Sequence, residues 1–170
     1  MTTNSTRRPG RDVVLEASTV GLSLVVRSLA SALEVVTLQQ YRILVLIVTR
    51  GPMRSGDLAA ELGLLPSGIT RIVDRLVRDG FVAKRAGSQD GREVVVTAEA
   101  PATELVEQVL SARQREFRAV LRRMTPEERT AVRAAAVALT RTVRAGSTLD
   151  AEIMLAVDRE DRGGSPTTAS

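Results

Sequence analysis

Between Leu64 and Thr97 the chain has to form one two-faced helix and then turn back at once into a hairpin. Ile69, Ile72, Val73, Leu76 and Val77 recur at i, i+3, i+4, i+7 and i+8, a continuous apolar stripe at helical spacing. Ser67, Arg71, Asp74, Arg75 and Arg78 line the other side, with Thr70 at its edge. Such a helix docks by its stripe and offers hydroxyls and guanidiniums to the groove of a polyanion. Gly80 stands where a left-handed C-cap is needed. Phe81 to Arg85 and Arg92 to Thr97 then read as two short strands, with Val82, Val94, Val95 and Val96 supplying the β-branched content. Gly87 and Gly91 suit the turn between them, so the hairpin is a wing with Asp90 and Arg92 near its tip.

The residues upstream prepare this helix. Thr37-Leu-Gln-Gln40 is a capping box that opens a helix running to Arg50, and Gly51-Pro52 stops it. A short helix from about Arg54 to Leu62 follows, closed by Gly63, and the short turn into the next helix is helix-turn-helix spacing. Two residues break local rules. Leu65 occupies the N-cap before Pro66, where losing a polar cap costs about 1 kcal/mol. Gly68 lowers helix propensity in the first turn by up to about 1 kcal/mol relative to Ala, while letting the backbone approach a phosphate closely.

Taken together, PSGITRIVDRLVRDGFVAKR and the DGRE that follows it resemble the winged helix-turn-helix of the MarR family of bacterial transcription regulators, DGRE matching the family's Asp-x-Arg wing motif. The likeness extends more loosely over residues 12–145 and fails in the C-terminal tail. It implies a homodimer on a pseudo-palindromic duplex, with the 66–78 helix of each subunit in successive major grooves. Ser67, Thr70 and Arg71 are then expected at base edges or nearby phosphates, with the Gly68 backbone close by. Arg75 and Arg78 are expected to hold the DNA backbone, Arg54 to meet phosphate at the start of the preceding helix, and Lys84 and Arg85 to touch phosphates that position without specifying sequence. Arg92 is expected in the flanking minor groove, with Asp90 bracing that arginine or its loop. The resemblance also implies a small aromatic or phenolic anion as effector.

Around the winged region, 37–97, lie two apolar flanks. Residues 1–11 are a polar arm with Arg7, Arg8 and Arg11, best read as a solvated tail. Over 12–36 a narrow polar stripe (Asp12, Glu16, Thr19, Ser23, Arg27, Glu34) leaves a wide apolar arc that includes Val13, Val14, Ala17, Leu22, Val25, Val26, Leu29 and Leu33. Either the chain's own later helices or a second subunit must cover it, and the resemblance favours the second subunit. Over 98–145 a long helix runs to about Met124 and restarts at Thr125-Pro126-Glu127-Glu128, a capped start with Pro at N1. Arg113 interrupts the first helix's apolar stripe and reads as a snorkelling side chain. In the tail, 146–170, Leu149, Ile153 and Val157 predict a short amphipathic helix over about 150–161. The expected fold is mainly α with a small β-wing, a winged helix-turn-helix flanked by N- and C-terminal dimerisation helices.

Composition narrows the function classes. With no Cys and no His, disulfides, thiol redox sensing and zinc sites of thiolate or imidazole are excluded, and the usual general base for a nucleophile is missing. No catalytic constellation stands out, so no enzyme, metal or cofactor is expected. Phe81, Phe117 and Tyr41 are the only aromatic residues, which argues against stacking on unpaired bases and for double-stranded DNA. The net charge of +4 is modest, and its local placement carries more weight. No apolar run reads as long enough to span a membrane and no leader follows the basic N-terminus, so a cytoplasmic protein without membrane contact is expected. The alternative is a winged-helix protein-interaction module that has lost specific DNA binding; Leu65 and Gly68 favour it, while Thr70, Arg71, Asp90 and Arg92 speak against it, since packing needs none of them.

Overall fold

A computed structural model describes residues 9–86 and 94–146, with side chains described over 13–86 and 94–142. Residues 1–8 of the arm, Asp90 and Arg92 of the wing motif, and the tail helix expected over 150–161 lie outside the described residues. Among those described, the chain forms α1 (Pro9–Leu33), α2 (Leu38–Arg50), β1 (Met53–Arg54), α3 (Ser55–Leu62), α4 (Pro66–Arg78), β2 (Val82–Ala86), β3 (Val94–Ala98), α5 (Ala100–Arg122) and α6 (Pro126–Gly146). The first helix starts earlier than expected, at Pro9 rather than Asp12. Proline's fixed φ suits the first helical position, so Pro9 opens the helix instead of ending the arm.

Helix α2 is the centre of the molecule. Its capping box forms, with the Gln40 amide donating to Thr37 Oγ1 at 3.3 Å and the Thr37 amide donating to Gln40 Oε1 at 2.8 Å. Tyr41 and the run from Ile43 to Ile47 are all buried, so the helix is covered on nearly every side. Leu58 of α3, Ile69, Val73 and Leu76 of α4, Val96 of β3, and Val106 and Val109 of α5 complete one aliphatic core around it.

The sheet is three-stranded and antiparallel, ordered β1-β3-β2. Its first strand was not foreseen: Met53 and Arg54 pair with Val96 and Val95 just after Gly51-Pro52 ends α2. Two residues are too few to show an alternating pattern, so only the pairing reveals them. In the hairpin, Val82 opposes Ala98 and Ala86 opposes Val94. Phe81 falls outside the strand because it completes the end of α4. Its amide donates to the Leu76 carbonyl (2.9 Å) and the Gly80 amide to the Val77 carbonyl (3.1 Å), a Schellman motif with Gly80 at φ 78°. A Cβ at Gly80 meets nothing within 4 Å, so only the left-handed backbone opposes a side chain there. Gly80→Ala is therefore expected to lower unfolding free energy by about 1–2 kcal/mol, with Gly80→Asn recovering part of the loss, as read from urea midpoints.

Helix α1 buries Leu24, Ser28, Leu29 and Ala32 and packs along α5, where Arg27 approaches Glu116 at 3.7 Å. Its other sides stay apolar and open, with Leu15, Leu22, Val26 and Leu33 exposed. The stretch Val13–Leu33, 21 residues of mean hydropathy 1.6, is long and apolar enough to cross a membrane by length and composition, contrary to the expectation above. Glu16, Arg27 and several serines and threonines break the run in sequence, yet the stretch as a whole averages apolar; within it the hydroxyls of Ser18, Thr19, Ser23 and Ser28 donate to carbonyls of the same helix. Helix α6 starts as expected, the Thr125 amide donating to Glu128 Oε2 (2.8 Å) and the Glu128 amide to Thr125 Oγ1 (3.2 Å). Apart from Arg129, each of its described side chains is exposed, including Val132, Val137 and Leu139.

Candidate nucleic-acid interface

The seating of α4 decides what the interface can be. Ile69, Val73 and Leu76 are fully buried and Ile72 half-buried, against α3, α2 and β2. Val77, expected in the same stripe, is 38% exposed and marks its edge. The opposite side leaves Ser67, Thr70, Arg71, Arg75 and Arg78 in solvent, and none of these three arginines has an ion pair among the described residues. Arg75 and Arg78 sit in the last turn, where the helix dipole favours cations. The Thr70 hydroxyl donates to the Pro66 carbonyl at 2.9 Å, so toward a base it offers an acceptor and a methyl group. At Gly68, too, a Cβ meets nothing within 4 Å, so packing does not require glycine there.

The bases on the wing strand are not standing idle. Lys84 is ion-paired with Asp74 of α4. Arg85 donates from Nε to Thr97 Oγ1 at 3.2 Å and from Nη2 to Glu99 Oε1 at 3.5 Å. Both residues were expected at phosphates; here each meets a carboxylate, Lys84 tying β2 to α4 and Arg85 tying it to the residue that precedes α5. Exposed pairs of this kind contribute under about 1 kcal/mol each, small enough for a phosphate to compete. Asp74, Thr97 and Glu99 are the participants that sequence reasoning missed, because only the strand register brings them to their partners. Arg54 lies exposed on β1 at the N-cap position of α3, with no side-chain capping bond. The structure thus brings Ser67, Thr70, Arg71, Arg75 and Arg78 onto one surface of α4, with Lys84 bound at its side. Asp90 and Arg92 lie outside the described residues.

A second polar group lies where α1, α2 and α5 meet. Arg113 does not snorkel: it is half-buried, its Nε donating to Ser28 Oγ at 3.4 Å. Burial lowers its pKa from the usual arginine value, and the nearby Tyr41 phenol works against that shift. Tyr41 is 2% exposed, and its hydroxyl has no hydrogen-bond partner among the described residues. Burial pushes its pKa from 10.0 up to about 12, Arg113 offsetting part of the shift. Between those two values the folded chain keeps a proton that the unfolded chain has lost, so stability falls as pH rises from about 10 to about 12, by on the order of 2 kcal/mol. Tyr41→Phe is expected to remove that part of the alkaline loss and to cost little at pH 7, because no protein hydrogen bond is broken. Urea titrations at neutral pH and above pH 10 read both effects.

Known proteins resemble this chain in sequence and fold. The model of the MarR family matches residues 36–94, from the end of α1 to the hairpin. The HTH-type transcriptional regulator Mb0904 of Mycobacterium bovis is 33% identical over 101 residues, 59% of this chain and 71% of that relative. The HTH-type transcriptional regulator YfiV of Bacillus subtilis is 28% identical over 96 residues, 56% of this chain, which spans 60% of that relative's length. Among solved structures, RV1404 from Mycobacterium tuberculosis superposes with a TM-score of 0.71 at 29% identity, covering 83% of this chain and 97% of that one.

Proposed function

On the premise that the chain belongs to the MarR family of winged-helix, DNA-binding transcriptional regulators, we propose that it is a homodimeric repressor of a pseudo-palindromic operator. The observation that carries this reading is the two-sided seating of α4: a fully buried stripe on one side, and on the other two hydroxyls and three arginines that have no ion pair among the described residues. In the dimer each α4 enters one of two successive major grooves about one helical turn apart. Ser67, Thr70, Arg71 and the Gly68 backbone face base edges and nearby phosphates, while Arg75, Arg78 and Arg54 hold the backbone. On contact Lys84 and Arg85 exchange their carboxylate partners for phosphates, and Arg92, steadied by Asp90, enters the flanking minor groove.

The homodimer is supported by the open apolar surface of the flanking helices. Leu22 of α1 is 62% exposed and Leu139 of α6 is 68% exposed, each among further exposed valines and leucines. Isolated exposed leucines are ordinary, but two long helices open along their length need a cover. A cytoplasmic regulator whose α1 packs against a second copy accounts for that helix's apolar length without a membrane. The effector that goes with this reading is a small aromatic or phenolic anion, and the guanidinium of Arg113, close to the Tyr41 phenol where α1, α2 and α5 meet, is the cation we assign to it. Such a ligand acts by binding one dimer geometry better than another.

Two measurements test the reading. Titration of the full chain against the duplex upstream of its own gene and against a scrambled duplex, at several salt concentrations, is expected to show sequence-dependent binding with a steep salt slope. Equal, weak binding to both the upstream and the scrambled duplex, together with failure to enrich any sequence from a random pool, sinks the repressor. In sedimentation, Leu139→Glu combined with Leu22→Glu is expected to shift a wild-type dimer to monomer; a wild type that runs as a monomer removes the dimer.

A further inference from the structure

At 76%, Leu65 is the most exposed large apolar side chain among the described residues. It stands at the leading end of α4 in an extended conformation, φ −69° and ψ 146°, which the following proline favours. Its carbonyl accepts from the amides of Gly68 (2.9 Å) and Ile69 (3.1 Å), so its backbone is anchored while its side chain packs on little. The helix gains nothing from leucine here, because this position makes no side-chain cap and a serine or threonine would supply one. Local rules broken without a gain to the fold concentrate at functional sites. Three positions on, Gly68 leaves open space beside it, since a Cβ there meets nothing within 4 Å. Thr70, with its hydroxyl hydrogen bound to Pro66, cannot use that hydrogen toward a base. The lead edge of the helix is therefore an aliphatic knob beside a gap.

The thymine C5-methyl is the aliphatic group that base edges present in the major groove. We propose that Leu65 is a specificity-determining residue that reads a thymine methyl in each half-site, the Gly68 gap admitting the base edge beside it. The inference rests on α4 being the DNA-reading helix, and the experiment separates the two.

A duplex is selected from a random pool by the wild-type full chain. Each thymine is then replaced in turn, symmetrically in both half-sites, by 2′-deoxyuridine, which removes the methyl and leaves every hydrogen-bonding group. Wild type is expected to lose about fourfold per half-site at one thymine position, the value of one buried methyl-sized group. Leu65→Ser is expected to bind the uridine and thymine duplexes equally at that position and to melt no lower than wild type, since it gains a cap. Sequence-specific binding by wild type that tolerates uridine everywhere overturns the assignment to Leu65 and leaves the DNA-reading helix standing. Unchanged uridine sensitivity in Leu65→Ser overturns it equally. A wild-type chain that enriches no sequence, and whose Leu65→Ser variant loses binding to another protein instead, overturns both and makes the knob a protein contact.

Discussion

Replacing Arg71 with alanine is expected to weaken binding to the selected duplex by about ten- to a hundredfold, the range of one well-formed arginine–base contact. Arg71 is exposed on the side of α4 away from the core and has no ion pair among the described residues, so its removal orphans no partner among them. Stability should stay within about 0.5 kcal/mol of wild type. Discrimination at one base pair per half-site should relax with the affinity. Arg75→Ala provides the contrast: as a backbone contact it weakens all duplexes alike and reduces the salt slope by about one per subunit. Fluorescence anisotropy over a salt series distinguishes them. An Arg71→Ala protein that binds within twofold of wild type takes Arg71 out of the interface.

The second large effect concerns how α4 is held. Leu76 is fully buried among α2, α3 and the sheet, and its carbonyl receives the Phe81 amide that ends the helix. Leu76→Ala is expected to cost about 2–5 kcal/mol, transfer and cavity terms together. That is a large fraction of the stability of a domain this size. Val77→Ala, one residue further along, removes an edge side chain that is already partly in solvent and should cost under about 1 kcal/mol. Neighbouring residues with opposite outcomes fix the rotation of the helix about its axis, and so which side can face DNA. Chemical denaturation of both variants measures this, and equal losses refute the seating described here.

These two predictions differ in how much of them was visible in the sequence. The stripe of Ile69, Val73 and Leu76 declares itself by spacing, so the polar side of α4 is fixed before any coordinates exist. The same holds for the capping boxes at Thr37 and Thr125 and for Gly80, each a signal contained within a few residues. Val77 shows the limit of that reasoning, since its spacing placed it in the stripe and only the packing against β2 shows where the stripe ends. Lys84 and Arg85 show it more sharply. As bases on a wing strand they looked ready for phosphate, yet each is paired with a carboxylate from another element.

What the amino-acid sequence determined by itself, then, is whatever depends on neighbours along the chain: helix starts and stops, the two-sided α4, the hairpin, and an aliphatic core. The tertiary structure alone decided what depends on neighbours in space. Strand β1 exists only because β3 lies beside it, and Arg113 turns inward only because Ser28 and Tyr41 meet it from two other helices. The physical reason is range. Backbone caps and periodic stripes act over one or two helical turns, whereas ion pairs between elements and burial at the edge of a stripe are set by register and packing, which no local pattern encodes.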